Sequence, residues 1–320
     1  MIRYALRRLA YAVSMVWGVS FGAFVAFGLS FDPTYSYNLC QDAPCREAHK
    51  ELINRFHLHD PILERYWYWL SGLFRHGFGR SVLGDFGNGS GYDIGSAVWH
   101  ATWVTAQLLA VSLVLVVVAG VGVGVVSARR AGSPLDWLVR LCAYVVWSIP
   151  TFLVGVILLH ALGPSHWFDI GERESGLVGW IRWITLPAIA LSVGLIGLYS
   201  RYIRSSMLVS LRQPYADVAR GKGLPERQVV YRHALRNSLI PFVSVLTLDL
   251  AAVVGASLAT DYVFNLGGLA DLFLHSIGQA DPFVLTAILV VIAALVAVFM
   301  LLGDLAAGWL DPRARIGAAR

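Results

Sequence analysis

The sequence predicts an all-α polytopic membrane protein with six transmembrane helices and both termini on the cytoplasmic side. Three observations predict it. Uncharged stretches of about 18 residues or more, enough to cross a bilayer as a helix, recur along a 320-residue chain that is 57% apolar and 14% charged. Backbone in lipid must satisfy its own hydrogen bonds, which leaves helices or closed barrels, and the strictly alternating strands of a barrel are absent. The third observation is the placing of charge. Four segments that one topology puts inside, the N-terminus, 129–140, 201–236 and the C-terminus, hold three, three, eight and three of the 25 Lys/Arg. That is the positive-inside pattern. The net charge of +5 therefore reports orientation, not a groove that tracks nucleic acid.

Residues 1–31 read as a cytoplasmic arm and first transmembrane helix, with a basic start, "MIRYALRR", and an uncharged run from Leu9 to Phe31. The run is too long for the apolar core of a cleaved signal peptide. Residues 32–98 form an extracytoplasmic segment. Within it "HDPILERYWYWLSGLFRHGFG" predicts an amphipathic helix after Asp60, with Pro61 at its first turn. Tyr66, Trp67, Tyr68 and Trp69 are placed at the headgroup level, where amphipathic rings are favoured. His57 and His59 form an H-x-H with no third metal ligand near them. Cys40 and Cys45 flank "QDAP"; they read either as a small disulfide loop in an oxidising compartment or as two unrelated thiols. Cys142, in an apolar run, reads as a small buried residue.

Residues 99–310 form the core, with five further spans at about 101–128, 137–162, 183–200, 239–261 and 283–305. Pro150 and Pro187 are expected to kink their spans. Residues 311–320 read as a cytoplasmic tail. Asp249 lies mid-span, where an ionised acid costs about 2.5–3.5 kcal/mol. It reads either as a contact in a translocation pathway or as a hydrogen bond to a neighbouring helix. Gln107 carries the same two readings, the helix–helix bond being the more ordinary.

Between the fourth and fifth spans stands "QPYADVARGKGLPERQVVYRHALRNSLIP". Pro214 starts a short helix, Gly221 and Gly223 end it in a tight turn, and Pro225 starts a second helix that leads into the next span. Tyr215, Val218 and Ala219 are expected on one face. This basic elbow reads either as a positive-inside surface helix or as a docking knob for another protein.

"ADVARGKGL" resembles the cytoplasmic coupling motif of ABC importer permeases, E-A-A-x-x-x-G. Asp217 stands at the acidic position, Val218 and Ala219 at the small ones and Gly223 at the glycine. The wider "RSSMLVSLRQPYADVARGKGL…RHALRNSLIP" is similar to the oligopeptide/dipeptide-transport subfamily, and "FHLHDPILERYWYWLSGLFRHGFGRSV", "SIPTFLVGVIL", "TLPAIALSVGL" and "LDPRAR" follow in that subfamily's order. The chain departs from the general motif at His233, where Ile-x-Leu-Pro would stand, with the proline later at Pro241. Asp261 and "GGL" replace the subfamily's Glu and Pro-Gly-Leu, and Asp249 its Gln.

The resemblance implies a type I ABC importer permease fold with a coupling helix at about 213–224, in a prokaryotic inner or plasma membrane. It implies no enzymatic chemistry and no cofactor in this chain. The implied partners are a second related permease, two ATPase subunits or domains that carry ATP and magnesium, an extracytoplasmic solute-binding protein, membrane lipid and a peptide substrate. No G-x-x-x-x-G-K-[ST] loop stands in the sequence. Tyr215, Asp217, Val218, Ala219, Arg220, Lys222, Gly223 and Leu224 are then expected at the ATPase contact. Ala219 would enter an ATPase cleft, with Arg220 and Lys222 pairing to acids on its rim. Related permeases carry nickel, glutathione-like compounds or haem, which leaves the solute open. An autonomous channel or secondary transporter is a rival reading. An intramembrane hydrolase finds no H-E-x-x-H and no G-x-S-x-G to support it.

Overall fold

The computed structural model describes residues 2–32, 56–76, 93–163 and 174–310, with 34, 46–47, 49–50, 53–54, 78–79, 81 and 168 between them. These residues fold as α1 (Ile2–Ser30), α2 (Ile62–His76), α3 (Ile94–Arg129), α4 (Pro134–Ser148), α5 (Thr151–Leu162), α6 (Gly176–Leu211), α7 (Pro214–Gly221), α8 (Glu226–Phe264), α9 (Leu269–Gly278) and α10 (Pro282–Leu310). Among the described residues five helices are long and apolar enough to cross a membrane, and α4 with α5, bent by 99° where they meet, is a sixth when the pair is counted as one span. Cys40, Cys45 and the tail 311–320 lie outside the described residues.

The expected span at 137–162 is more than kinked. Pro150 offers no N–H and forces its predecessor into extended backbone; Ile149 sits at φ −90°, ψ 126°. The helix stops at Ser148, and Pro150 O restarts it by accepting from the amides of Leu153 and Val154 at 3.0 and 3.2 Å. Pro187, by contrast, stays inside an unbroken α6. The fourth and fifth spans also run beyond their expected ends, to 36 and 39 residues. Both therefore reach the elbow without an intervening loop.

Two compact units share the chain. One comprises Met1–Leu9, Thr105–Leu266 and Val298–Arg320. Here α6 packs against α4, α5 and α8. Its Tyr199, Ile203 and Met207 are fully buried among Val116 and Val125 of α3 and Val230, Ala234 and Phe242 of α8. Gly124 lets α3 lie against α6: a Cβ there would fall 2.7 Å from both the Ser200 carbonyl oxygen and Ile203 Cβ.

The other unit comprises Ala10–Val104 and Gly267–Ala297. Its α2 divides the four aromatics expected together at the headgroups. Tyr66 and Trp69, one turn apart, are buried against Phe24 of α1 with ring centroids at 5.5 and 5.7 Å, and the Tyr66 hydroxyl meets Ser20 Oγ at 2.8 Å. Trp67 and Tyr68 remain exposed, as the three-residue spacing of a helix face requires. His57 stacks on Tyr68 and pairs with Asp60 at 2.9 Å. Asp281 caps α10 by accepting from the amides of Phe283 and Val284, and Ser81 donates to it at 2.5 Å.

Replacing Gly124 by Val should push α3 off α6 at a cost of about 1–3 kcal/mol. The expected result is a lower melting temperature in detergent, and a wild-type melting curve would contradict the close approach.

Candidate functional site

The elbow between α6 and α8 is built by local backbone rules. Pro214 occupies the first turn of α7, where its missing N–H leaves no bond unmade. At the other end the Gly223 amide donates to Arg220 O at 2.9 Å and the Leu224 amide to Ala219 O at 3.3 Å. Gly223 has φ 76°. This pair of bonds around a left-handed residue is the Schellman stop, and a side chain at that φ would be strained. The apolar contact that accompanies the motif is present too, because Leu224 packs with Ala219, Ala216, Val229 and Leu211. Pro225 follows and serves as N-cap of α8.

Ala216 and Ala219 therefore face the body of the chain, at 0% and 5% exposure. Ala219, expected to enter a partner's cleft beside Tyr215 and Val218, instead joins α7 to α8. The outward apolar positions are Val218, 57% exposed, and Tyr215, whose hydroxyl is hydrogen-bonded to Ser210 Oγ. Ser210 also donates to Ala234 O at 3.1 Å, so α6, α7 and α8 meet at one hydroxyl.

Arg220 is likewise committed within the chain. Its guanidinium donates to both Glu226 oxygens at 3.1 Å, to Asp217 Oδ1 at 3.1 Å and to the Leu211 carbonyl at 3.2 Å. Hydrogen bonding to Glu226, ahead of Asp217, raises the Arg220 pKa further above its ordinary value, against a smaller opposing effect of desolvation. Expected to pair with a partner's acids, Arg220 instead clamps the end of α6, α7 and the start of α8. Lys222, at the C-cap, is exposed with Gly221 and Asp217. The helix beyond carries a π-turn over Val229–Ala234, which includes His233, and continues through Pro241.

Two residues that sequence reading did not single out hold the elbow's upper support. Asp136 is fully buried. Its carboxylate accepts from Arg204 Nε at 2.6 Å and Nη2 at 2.7 Å, from Ser127 Oγ at 2.5 Å and from the Gly132 amide at 3.0 Å. Ser133 caps α4 by accepting from the Asp136 amide. The forked Arg204 geometry is the strong form of a charged pair. It fastens the end of α3 and the start of α4 to α6, seven residues before α6 ends at Leu211.

The intramembrane candidates stand apart from the elbow. Asp249 Oδ2 accepts from the Tyr199 hydroxyl at 3.0 Å, and the residue is half-buried. Gln107 Oε1 accepts from Trp180 Nε1 at 2.7 Å, a helix–helix bond. Asp261 is fully buried at the last turn of α8, where Asn265 provides a left-handed stop.

Residues 120–316 match the family described as binding-protein-dependent transport system inner membrane component. The oligopeptide transport system permease protein AppB of Bacillus subtilis (strain 168) is 30% identical, with 98% of this chain and 99% of the relative covered. A putative peptide permease protein of Brucella suis biovar 1 (strain 1330) is 30% identical over 99% of this chain and 100% of its own. Among solved structures, an inward-facing MetNI methionine ABC transporter matches with a TM-score of 0.57 and 21% identity. That match covers 68% of this chain and 97% of the other, and it supports the fold.

Arg204→Ala should leave a buried carboxylate without its main partner and cost on the order of 3 kcal/mol. Arg220→Ala breaks exposed pairs and should cost about 1 kcal/mol or less. Thermal melts of the two variants should separate clearly in that order.

Proposed function

We infer, from the premise that the chain belongs to the family of binding-protein-dependent transport system inner membrane components, that it is the membrane-spanning permease subunit of an ABC importer for oligopeptides or dipeptides. The observation that carries the reading is the elbow. A short helix, stopped by Gly223 and clamped by Arg220, joins two helices of 36 and 39 residues that run into the membrane core.

On this reading the energy enters from outside the chain. ATP and magnesium belong to two ATPase subunits, and a second, related permease completes the pathway. A solute-binding protein delivers peptide at the extracytoplasmic side. The chain itself performs no bond-making chemistry. The ATPase receives Val218 and Tyr215 in a small apolar recess, and exposed Lys222 faces acids on its rim. Ala219, Leu224 and Arg220 act one step behind, holding α7 against Val229, Leu211 and Glu226. A displacement of α7 then moves α6 and α8 as one body, because the elbow packs on both. Such coupling requires the nucleotide states of the ATPase to bind the elbow with different affinity. Asp249 is the residue proposed to meet solute from the pathway, held in position by Tyr199.

Affinity purification of tagged chain from native membranes in mild detergent tests the assembly. A second permease and one or two P-loop ATPases should co-purify; recovery of the chain alone from membranes that contain those partners would overturn the reading. In reconstituted uptake assays, Val218→Arg and Gly223→Arg should lower transport about ten-fold or more, the loss expected when roughly 1.4 kcal/mol of coupling goes, with insertion unchanged. Full uptake by both variants would remove the elbow from coupling. Asp249→Asn should alter uptake and its pH dependence. Unchanged uptake from acid to neutral pH would remove a charge-based role.

A further inference from the structure

On the cytoplasmic side of the bundle, α4 and α6 line an open cavity of about 440 Å³. Arg140 and Tyr144 of α4 line it with Arg201, Tyr202, Arg204 and Ser205 of α6. Three guanidinium groups thus line one space, and among the described residues Asp136 is the carboxylate that reaches two of them, Arg204 and Arg140. That carboxylate is taken up by Arg204, Ser127 and the Gly132 amide. Arg140 Nε stands 3.8 Å from Asp136 Oδ2, beyond hydrogen-bonding distance, and is buried without a hydrogen-bond partner. Arg201 lies over two aromatic faces, 4.2 Å from the Tyr144 centroid and 5.2 Å from that of Trp147. Among the described residues no carboxylate comes within 4.0 Å of it. Among the described residues the cavity therefore holds three guanidinium groups against one carboxylate, a positive excess.

Its depth points to what answers it. Arg201 and Arg204 stand ten and seven residues before the end of α6, roughly 10–15 Å from that end at the helical rise. The 36 residues of α6 span about 54 Å, against a hydrocarbon core of about 30 Å. The surplus at the two ends brings the cavity to headgroup level. The neighbouring outward face of α4 is apolar and aromatic, with Trp137, Leu141, Val145 and Trp147 all exposed. That surface suits acyl chains, and tryptophan suits the boundary above them.

We propose that this cavity binds a phosphate-bearing anion, carried by an anionic membrane lipid whose headgroup enters between Arg140 and Arg201 while its chains lie along α4. Guanidinium forks match phosphate oxygens in geometry as well as charge, and basic pockets between helices on the cytoplasmic side bind anionic headgroups.

The test uses the full chain purified from its membranes with the subunits that accompany it. Dioctanoyl phosphatidylglycerol, dioctanoyl phosphatidylcholine and inorganic phosphate are titrated separately, with native mass spectrometry reading adducts and thermal melting reading stabilisation. The glycerol lipid should bind saturably and more tightly than the choline lipid, and Arg140→Gln with Arg201→Gln should weaken it about ten- to thirty-fold. Arg140→Lys with Arg201→Lys keeps the charge and should recover part of the binding, which separates a lost site from a lost fold. Arg204 stays unchanged because it holds Asp136. Inorganic phosphate that stabilises as well as the lipid would keep the anion site and move its source to the aqueous phase. Equal binding of the two lipids by wild-type protein, with no effect of phosphate, would overturn the proposal whatever the variants do.

Discussion

Much of the cytoplasmic half of this chain hangs on one fully buried carboxylate. Asp136 is buried, and four donors from three parts of the chain reach it. Taking a carboxylate and a guanidinium out of water costs several kcal/mol for each ion, repaid only when geometry and hydrogen bonding are nearly complete. Here both oxygens are occupied by the Arg204 fork, with a hydroxyl and an amide filling the remaining positions. The result is less a gain in net stability than a fixed register. The turn after α3 cannot shift, α4 cannot rotate, and α6 cannot slide without stranding a charge. The elbow is carried on the end of α6 that this node holds.

A stiff mounting suits a part that transmits force. The elbow's own contacts are individually weak, being exposed ion pairs and a few small apolar side chains. Their arrangement matters more than their strength. Arg220 reaches three successive segments at once, and Ser210 joins the same three from the other side. A load on α7 is thereby shared between α6 and α8 before it reaches the membrane. Long helices with few breaks then carry it, and a π-turn at Val229–Ala234 is the irregular point next to the elbow, of a kind often found at functional sites.

What sequence could show of this followed the range of each interaction. The spans were legible because solvation in lipid is a property of composition, and the elbow because proline and glycine act on their own residue and its neighbours. The Ser133 cap could have been read as well, since Ser-x-x-Asp before an apolar run is a helix-start signal. Its long-range use was hidden: Asp136 and Arg204 lie 68 positions apart, and nothing in either neighbourhood names the other. The face of an eight-residue helix was equally open. Tyr215, Val218 and Ala219 sit close in angle, and only the packing of Val229 and Leu224 decides that the alanines turn inward. The same held for Tyr66 and Trp69, whose aromatic character suits either an interface or a core. At Pro150 the sequence signalled a disturbance but not its size, because a kink becomes a break only when neighbouring helices hold the two halves apart.

That break bears on how the protein is made. The two halves have 15 and 12 residues, about 22 and 18 Å of helix, and neither alone spans a hydrocarbon core of about 30 Å. During synthesis they therefore enter the bilayer as one hydrophobic segment. A bend of 99° at that depth would expose backbone polar groups to lipid, which lipid does not tolerate. The bend accordingly waits for α6 and α8, the helices against which α5 packs, and these emerge later from the ribosome. The shape of the third span thus depends on the fourth and fifth, which follow it in the chain.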